Sequence, residues 1–160
     1  MNRMQRLLIA VVLVCVIPGV FAADLAAERG EFKQAWAAAQ TGDLTALTPY
    51  LNELADYPLY PYLRYAYLSA TLSQQPGGAV RSFLKQQAQL PVAEALRQEW
   101  LLELAGKQDW KTFLSQYQNE TTPALRCAAV SAHLAAGDRQ ERDAWVVAAQ
   151  HLWLEPGALP

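Results

Sequence analysis

Three times in this chain an Ala- or Leu-rich stretch stops at a glycine and restarts after a polar step. The three are Ala39-Gln40-Thr41-Gly42-Asp43, Leu104-Ala105-Gly106-Lys107-Gln108-Asp109 and Ala135-Ala136-Gly137-Asp138. Glycine closes a helix because it alone takes the left-handed backbone without steric cost, and an aspartate just after it caps the next helix. The glycines lie 64 and 31 residues apart. The Pro76-Gly77-Gly78 turn falls near the midpoint of the longer gap. A spacing of about 31–34 residues suits a two-helix unit of the tetratricopeptide kind. Such units bury their apolar faces only against neighbours and stack into a curved array. Ordinary helical hairpins would carry the same punctuation. The expected fold is all-α, a right-handed α-superhelix of short helical hairpins.

The residues between the stops support helices throughout. Ala, Leu, Gln and Glu dominate, and no stretch alternates with a period of two. A first helix is expected over 24–40, with Leu25, Phe32, Trp36 and Ala39 as its apolar stripe. Asp43 then caps 44–54, which Pro49 breaks into two pieces. Pro76-Gly77-Gly78 opens a helix to about Gln89, with Phe83, Leu84 and Ala88 inward. A long helix follows Pro91, its stripe being Ala93, Leu96, Trp100, Leu101 and Leu104, and Gly106 ends it. Asp109 starts the next helix. Asn119 to Thr122 reads as a polar loop, Pro123 to Ala136 as a helix, and 138–154 as the last one.

Residues 1–22 have the layout of a secretory signal peptide. Arg3 and Arg6 supply the positive start, Leu7 to Ile17 an apolar run of 11 residues, and Val20-Phe21-Ala22 a cleavage site after Ala22. The run is short of the roughly 20 apolar residues a bilayer span needs. The alternatives are an uncleaved anchor and a lipoprotein, and Val14 before Cys15 does not suit the latter. Export to the periplasm would leave residues 23–160, with 11 basic and 15 acidic residues and Cys127 as the sole cysteine. Contact with a membrane is then expected only through the signal segment. An odd cysteine in an oxidising compartment asks for a partner.

Composition excludes several classes. The whole chain is 52% hydrophobic and 18% charged, with a net charge of −2, which is the wrong balance for disorder. A pI near 5.7 and the lack of a dense Lys/Arg run argue against nucleic acid as a partner. No phosphate loop, HExxH, CxxC or GxSxG motif occurs. Cys127 and His133 do not share a helix face at their spacing. Glu94 beside Arg97, and Glu99 and Glu103 near Lys107, read as paired charges on solvated helix faces. No catalytic, metal-binding or cofactor-binding residue is assigned.

The least ordinary segment is Asp56-Tyr57-Pro58-Leu59-Tyr60-Pro61-Tyr62-Leu63-Arg64-Tyr65-Ala66-Tyr67. Prolines fit the first turn of a helix. The tyrosines at 60, 62, 65 and 67 cannot all face one way, so some should be buried with paired hydroxyls and some exposed. Two readings stand: a rigid helix start packed by aromatic rings, or a contact surface for carbohydrate or peptide.

This segment resembles the soluble lytic murein transglycosylases of Gram-negative bacteria. The resemblance continues through Leu90-Pro91 to Leu104, Gln108-Asp109-Trp110, Cys127 with its Ala-rich helix, Gly137, Trp145 and Leu152-Trp153-Leu154. It implies a U-shaped α-superhelical domain, of which residues 23–160 would be the N-terminal part. The family's lysozyme-like C-terminal domain cleaves the bond between N-acetylmuramic acid and N-acetylglucosamine, giving 1,6-anhydro products, with a glutamate in a Glu-Ser motif and no cofactor. No Glu-Ser dipeptide occurs here, so the catalytic domain is expected to be absent and the chain alone catalytically silent. The resemblance assigns Tyr57, Pro58, Tyr60, Pro61, Tyr62 and Arg64 to a structural motif. It makes Cys127 one half of a disulfide whose partner lies in the longer relatives. Expected partners are peptidoglycan glycan strands or the missing C-terminal domain, with self-association through an exposed last helix. The alternative is a free-standing periplasmic helical-repeat adaptor that binds protein partners.

Overall fold

The structure is a computed structural model that describes residues 19–118, 120–137 and 142–154. The apolar run of the expected signal peptide and the tail after Leu154 lie outside the described residues. Among the described residues all regular structure is helical. No helix there is long and apolar enough to cross a membrane. Two compact units divide the chain, residues 1–64 and 65–160.

In the first unit, α1 spans Gly19–Thr41. It begins upstream of the expected Asp24, because Val20, Phe21, Ala22 and Ala23 offer nothing that stops a helix. Gly42 ends it with φ of 73°. Asp43 then accepts a hydrogen bond from the Ala46 amide at 3.0 Å and caps α2, Leu44–Leu47. Pro49 separates α2 from α3, Tyr50–Glu53, as expected. Both short helices pack on α1. Ala35, Leu47 and Leu54 are buried there, with Phe32 stacked against Trp36 and tilted onto Tyr57. Helix α4, Tyr60–Ala70, carries the chain from the first unit into the second.

The second unit is a run of helices, most packed on their chain neighbours. A 3₁₀ turn at Leu72–Gln74 leads to α5, Gly77–Gln86, then α6, Pro91–Gly106, and α7, Trp110–Gln116. Helices α8, Pro123–Ala136, and α9, Arg142–Leu154, complete it. Helix α6 packs on α5, α7 and α8, and α8 on α7 and α9. Its expected stripe of Ala93, Leu96, Trp100, Leu101 and Leu104 is buried, joined by Phe113, Leu125, Ala129 and Ala132. Pro91 and Pro123 occupy the first turns of α6 and α8, 32 residues apart. Two successive hairpins therefore open on the same residue at the expected spacing.

Other expectations change as well, and on α1 the expected stripe residue Leu25 is exposed while Ala35 is buried. Helix α5 ends at Gln86, short of Gln89, and Val80 rather than Ala88 joins Phe83 inside. Gly106 is the last residue of α6, and the left-handed position falls at Gln108 with φ of 56°. The amides of Gln108 and Asp109 reach back to the carbonyls of Ala105 and Leu104, as those of Gly42 and Asp43 reach Ala39 and Ala38. Gln108 thus stands where Gly42 stands, one residue before the capping aspartate, so the turn is kept and the glycine is displaced. Last, the tyrosines at 60, 62, 65 and 67 are all half-buried, and the buried tyrosine is Tyr57. A helix start laid over a core half-covers each side chain.

Candidate functional site

The second unit holds an open cleft of about 420 Å³. One wall is α5, which presents Arg81, Leu84 and Lys85, followed by Ala88. The other is the start of α6, with Ala93, Glu94 and Arg97, and Gln116 and Gln118 close it from the end of α7. These residues converge because α5 packs against α6 and α7 folds back onto α6.

Arg97 organises the charge. Its guanidinium lies 2.7 Å from both oxygens of Glu94 and also hydrogen-bonds Glu120. The side chains of Arg97 and Glu120 are 11% and 4% exposed, so the pair ties the stretch before α8 to the side of α6. Burial works against the charge on Arg97, but the two carboxylates outweigh it and raise its pKa above the ordinary guanidinium value. The hydrogen bonds from Arg97 hold the Glu94 carboxyl below its ordinary range. Glu94 is therefore a fixed anion, the opposite of the proton-holding carboxyl a general acid requires. Arg81 and Lys85 lie one turn apart, both exposed. Among the described residues no carboxylate is within ion-pair distance of either.

Two further pairs hold α6 in place. The Tyr65 hydroxyl donates to Glu99 at 2.7 Å, and burial with that carboxylate pushes its pKa up to about 12. Lys107 pairs with Glu103 at 2.9 Å and donates to the Ser73 carbonyl at 3.0 Å. The pairings read from spacing at Glu94–Arg97 and Glu103–Lys107 are present, while Glu99 goes to a tyrosine. Glu120, read as part of a polar loop, is buried, because only the folded chain brings Arg97 to it.

The residues of the tyrosine–proline motif lie in the first unit, whereas the cleft lies in the second. Tyr57 is buried with its ring 5.2 Å from Phe32. Pro58 is exposed, Pro61 sits in the first turn of α4, and Tyr60, Tyr62 and Arg64 are half-buried. Cys127 is a half-buried free thiol on α8. His133 stacks on Trp145 with centroids 3.8 Å apart. Among the described residues no cluster of His, Cys, Asp and Glu could hold a metal ion. A second, apolar groove of about 500 Å³ runs between α8 and α9, lined by Leu134, Val146, Ala149, Trp153 and Leu154. The cleft residues Arg81, Lys85, Gln116 and Gln118 escaped sequence reasoning. The one signal was two like charges at i,i+4 on a short helix.

Comparison with known proteins gives a consistent match. The chain is 32% identical over 160 residues to the soluble lytic murein transglycosylases of two Escherichia coli strains. It is 34% identical over 131 residues to the Salmonella typhimurium protein of the same name. The alignments cover 97% and 81% of this chain but only 24% and 19% of the relatives, so the chain spans about a quarter of their length. No protein-family profile matches, and no solved structure does.

Proposed function

We propose that this chain, which belongs to the soluble lytic murein transglycosylase family, is a helical scaffold segment that holds murein without cutting it. The observation that carries this is the match itself, which runs along 97% of the chain. In this reading residues 23–160 form the N-terminal part of a U-shaped superhelix exported to the periplasm, with the signal segment removed after Ala22. Bond cleavage between N-acetylmuramic acid and N-acetylglucosamine is, in this reading, the work of the family's lysozyme-like domain. Cys127 corresponds to the cysteine that, in longer relatives, a second cysteine of the same chain would bridge, and the tyrosine–proline motif braces the start of α4. The ionised, arginine-bound state of Glu94 supports a silent cleft, since glycoside cleavage needs a carboxyl that keeps its proton.

Two measurements test the reading on purified murein sacculi. The chain is expected to sediment with sacculi and to leave a murein zymogram uncleared. Release of anhydro-muropeptides, or failure to sediment, overturns it.

A further inference from the structure

We propose that the cleft between α5 and α6 is a docking site for carboxylate groups borne on a murein oligomer, engaged by Arg81 and Lys85. This rests on the scaffold reading and names the chemical group its cleft takes. Like charges at i,i+4 weaken a helix by a few tenths of a kcal/mol, and α5 has only ten residues to absorb that. Neither cation is offset by a carboxylate among the described residues. Arg97 is shared by Glu94 and Glu120, so that triad carries one net negative charge against the two positive charges of Arg81 and Lys85. The result is a local positive excess in a chain whose net charge is −2.

The remaining lining fits the rest of such a ligand. Gln116 and Gln118 bring amide groups that match the amides and hydroxyls flanking a carboxylate. Leu84, Ala88 and Ala93 give an apolar floor for a methyl group or a sugar face. A volume of about 420 Å³ lies within the range of small-ligand sites, about 300–1,000 Å³. Arginine and lysine attract carboxylates through charge-assisted hydrogen bonds, stronger than neutral ones. Murein offers that chemistry twice, on the lactyl ether of bare muramic acid and on its peptide stems.

Calorimetric titration with three probes tests the assignment: a free stem peptide, a peptide-free glycan oligomer with muramic acid, and a neutral N-acetylglucosamine oligomer. At least one acidic probe is expected to bind, more weakly as salt rises, and the stronger of the two identifies the source. The neutral oligomer is expected not to bind. The double variant Arg81→Gln/Lys85→Gln should lose affinity by about tenfold or more. Both positions are exposed and glutamine is a good helix former, so circular dichroism should match the parent. Lys85→Glu should lose binding of the acidic probes altogether. Silence of both acidic probes, equal binding by the double variant, or equal binding of the neutral oligomer overturns the assignment. If the chain still sediments with sacculi in that case, the scaffold reading survives it. If the acidic probes bind but sacculi do not, the scaffold reading fails and the carboxylate site stands.

Discussion

Gln108 and Gly42 occupy the same backbone position in two copies of one turn, with φ of 56° and 73°. A residue with a Cβ gives up about 1–2 kcal/mol in the left-handed region, whereas glycine does not. Gln108 is held there because its amide and that of Asp109 satisfy two carbonyls at the end of α6. Replacing Gln108 with glycine should therefore stabilise the chain by about 1 kcal/mol, read as a higher urea midpoint. The reverse change at Gly137, which has φ of 75°, should destabilise by a similar amount. A Cβ at Gly137 would meet no atom within 4 Å, so the loss at Gly137→Ala would come from the backbone alone. Equal midpoints for parent and both variants would refute this account.

Between elements, polar pairs set the position of α6 while its apolar stripe provides the adhesion. Tyr65 on α4 donates to Glu99 on α6, and its phenol is pushed from 10.0 to about 12, first by burial and then by that carboxylate. The raised value fixes the sign. The protonated phenol is favoured by the fold, so its contribution is complete below pH 10 and disappears as pH rises through about 12. Spectrophotometric titration should show one tyrosine ionising near pH 12 and should lose that step in Tyr65→Phe. The variant should also show a shallower fall in stability across the same window. A parent chain whose tyrosines all ionise near pH 10 would contradict the pairing. Arg97 with Glu94 and Glu120 does for the stretch before α8 what Tyr65 does for α4. Only the first half of that network, at i,i+3 on one helix, was visible in residue spacing.

On the scale of the whole molecule, the last described helix carries an unusual apolar load on its surface. Trp153 and Leu154 are 73% and 80% exposed, and Val146 and Val147 are exposed beside them. A contiguous apolar face of this kind ordinarily marks a surface that something else covers. In a solution of the purified chain, a second copy offers a matching apolar face to this one. Light scattering should show mass increasing with concentration, and Trp153→Gln/Leu154→Gln should weaken that association by about tenfold. A parent chain that stays monomeric at every concentration would refute the prediction.

Local rules settled much of this protein from its residues. The all-α class, the caps at Asp43 and Asp109, the break at Pro49, the stop at Gly137 and the buried stripe of α6 all followed from interactions within one or two turns. The family was legible too, and the match runs along 97% of the chain. The cleft was not. Arg81, Lys85, Arg97, Gln116 and Gln118 come from three helices and a loop, and beyond the i,i+4 step from Arg81 to Lys85 no spacing along the chain relates them. Their convergence depends on the packing of α5 and α7 against α6, and so does the burial of Glu120 against Arg97. Periodicity reports which face of a helix turns inward, whereas the pairing of faces comes from the close packing of the whole core.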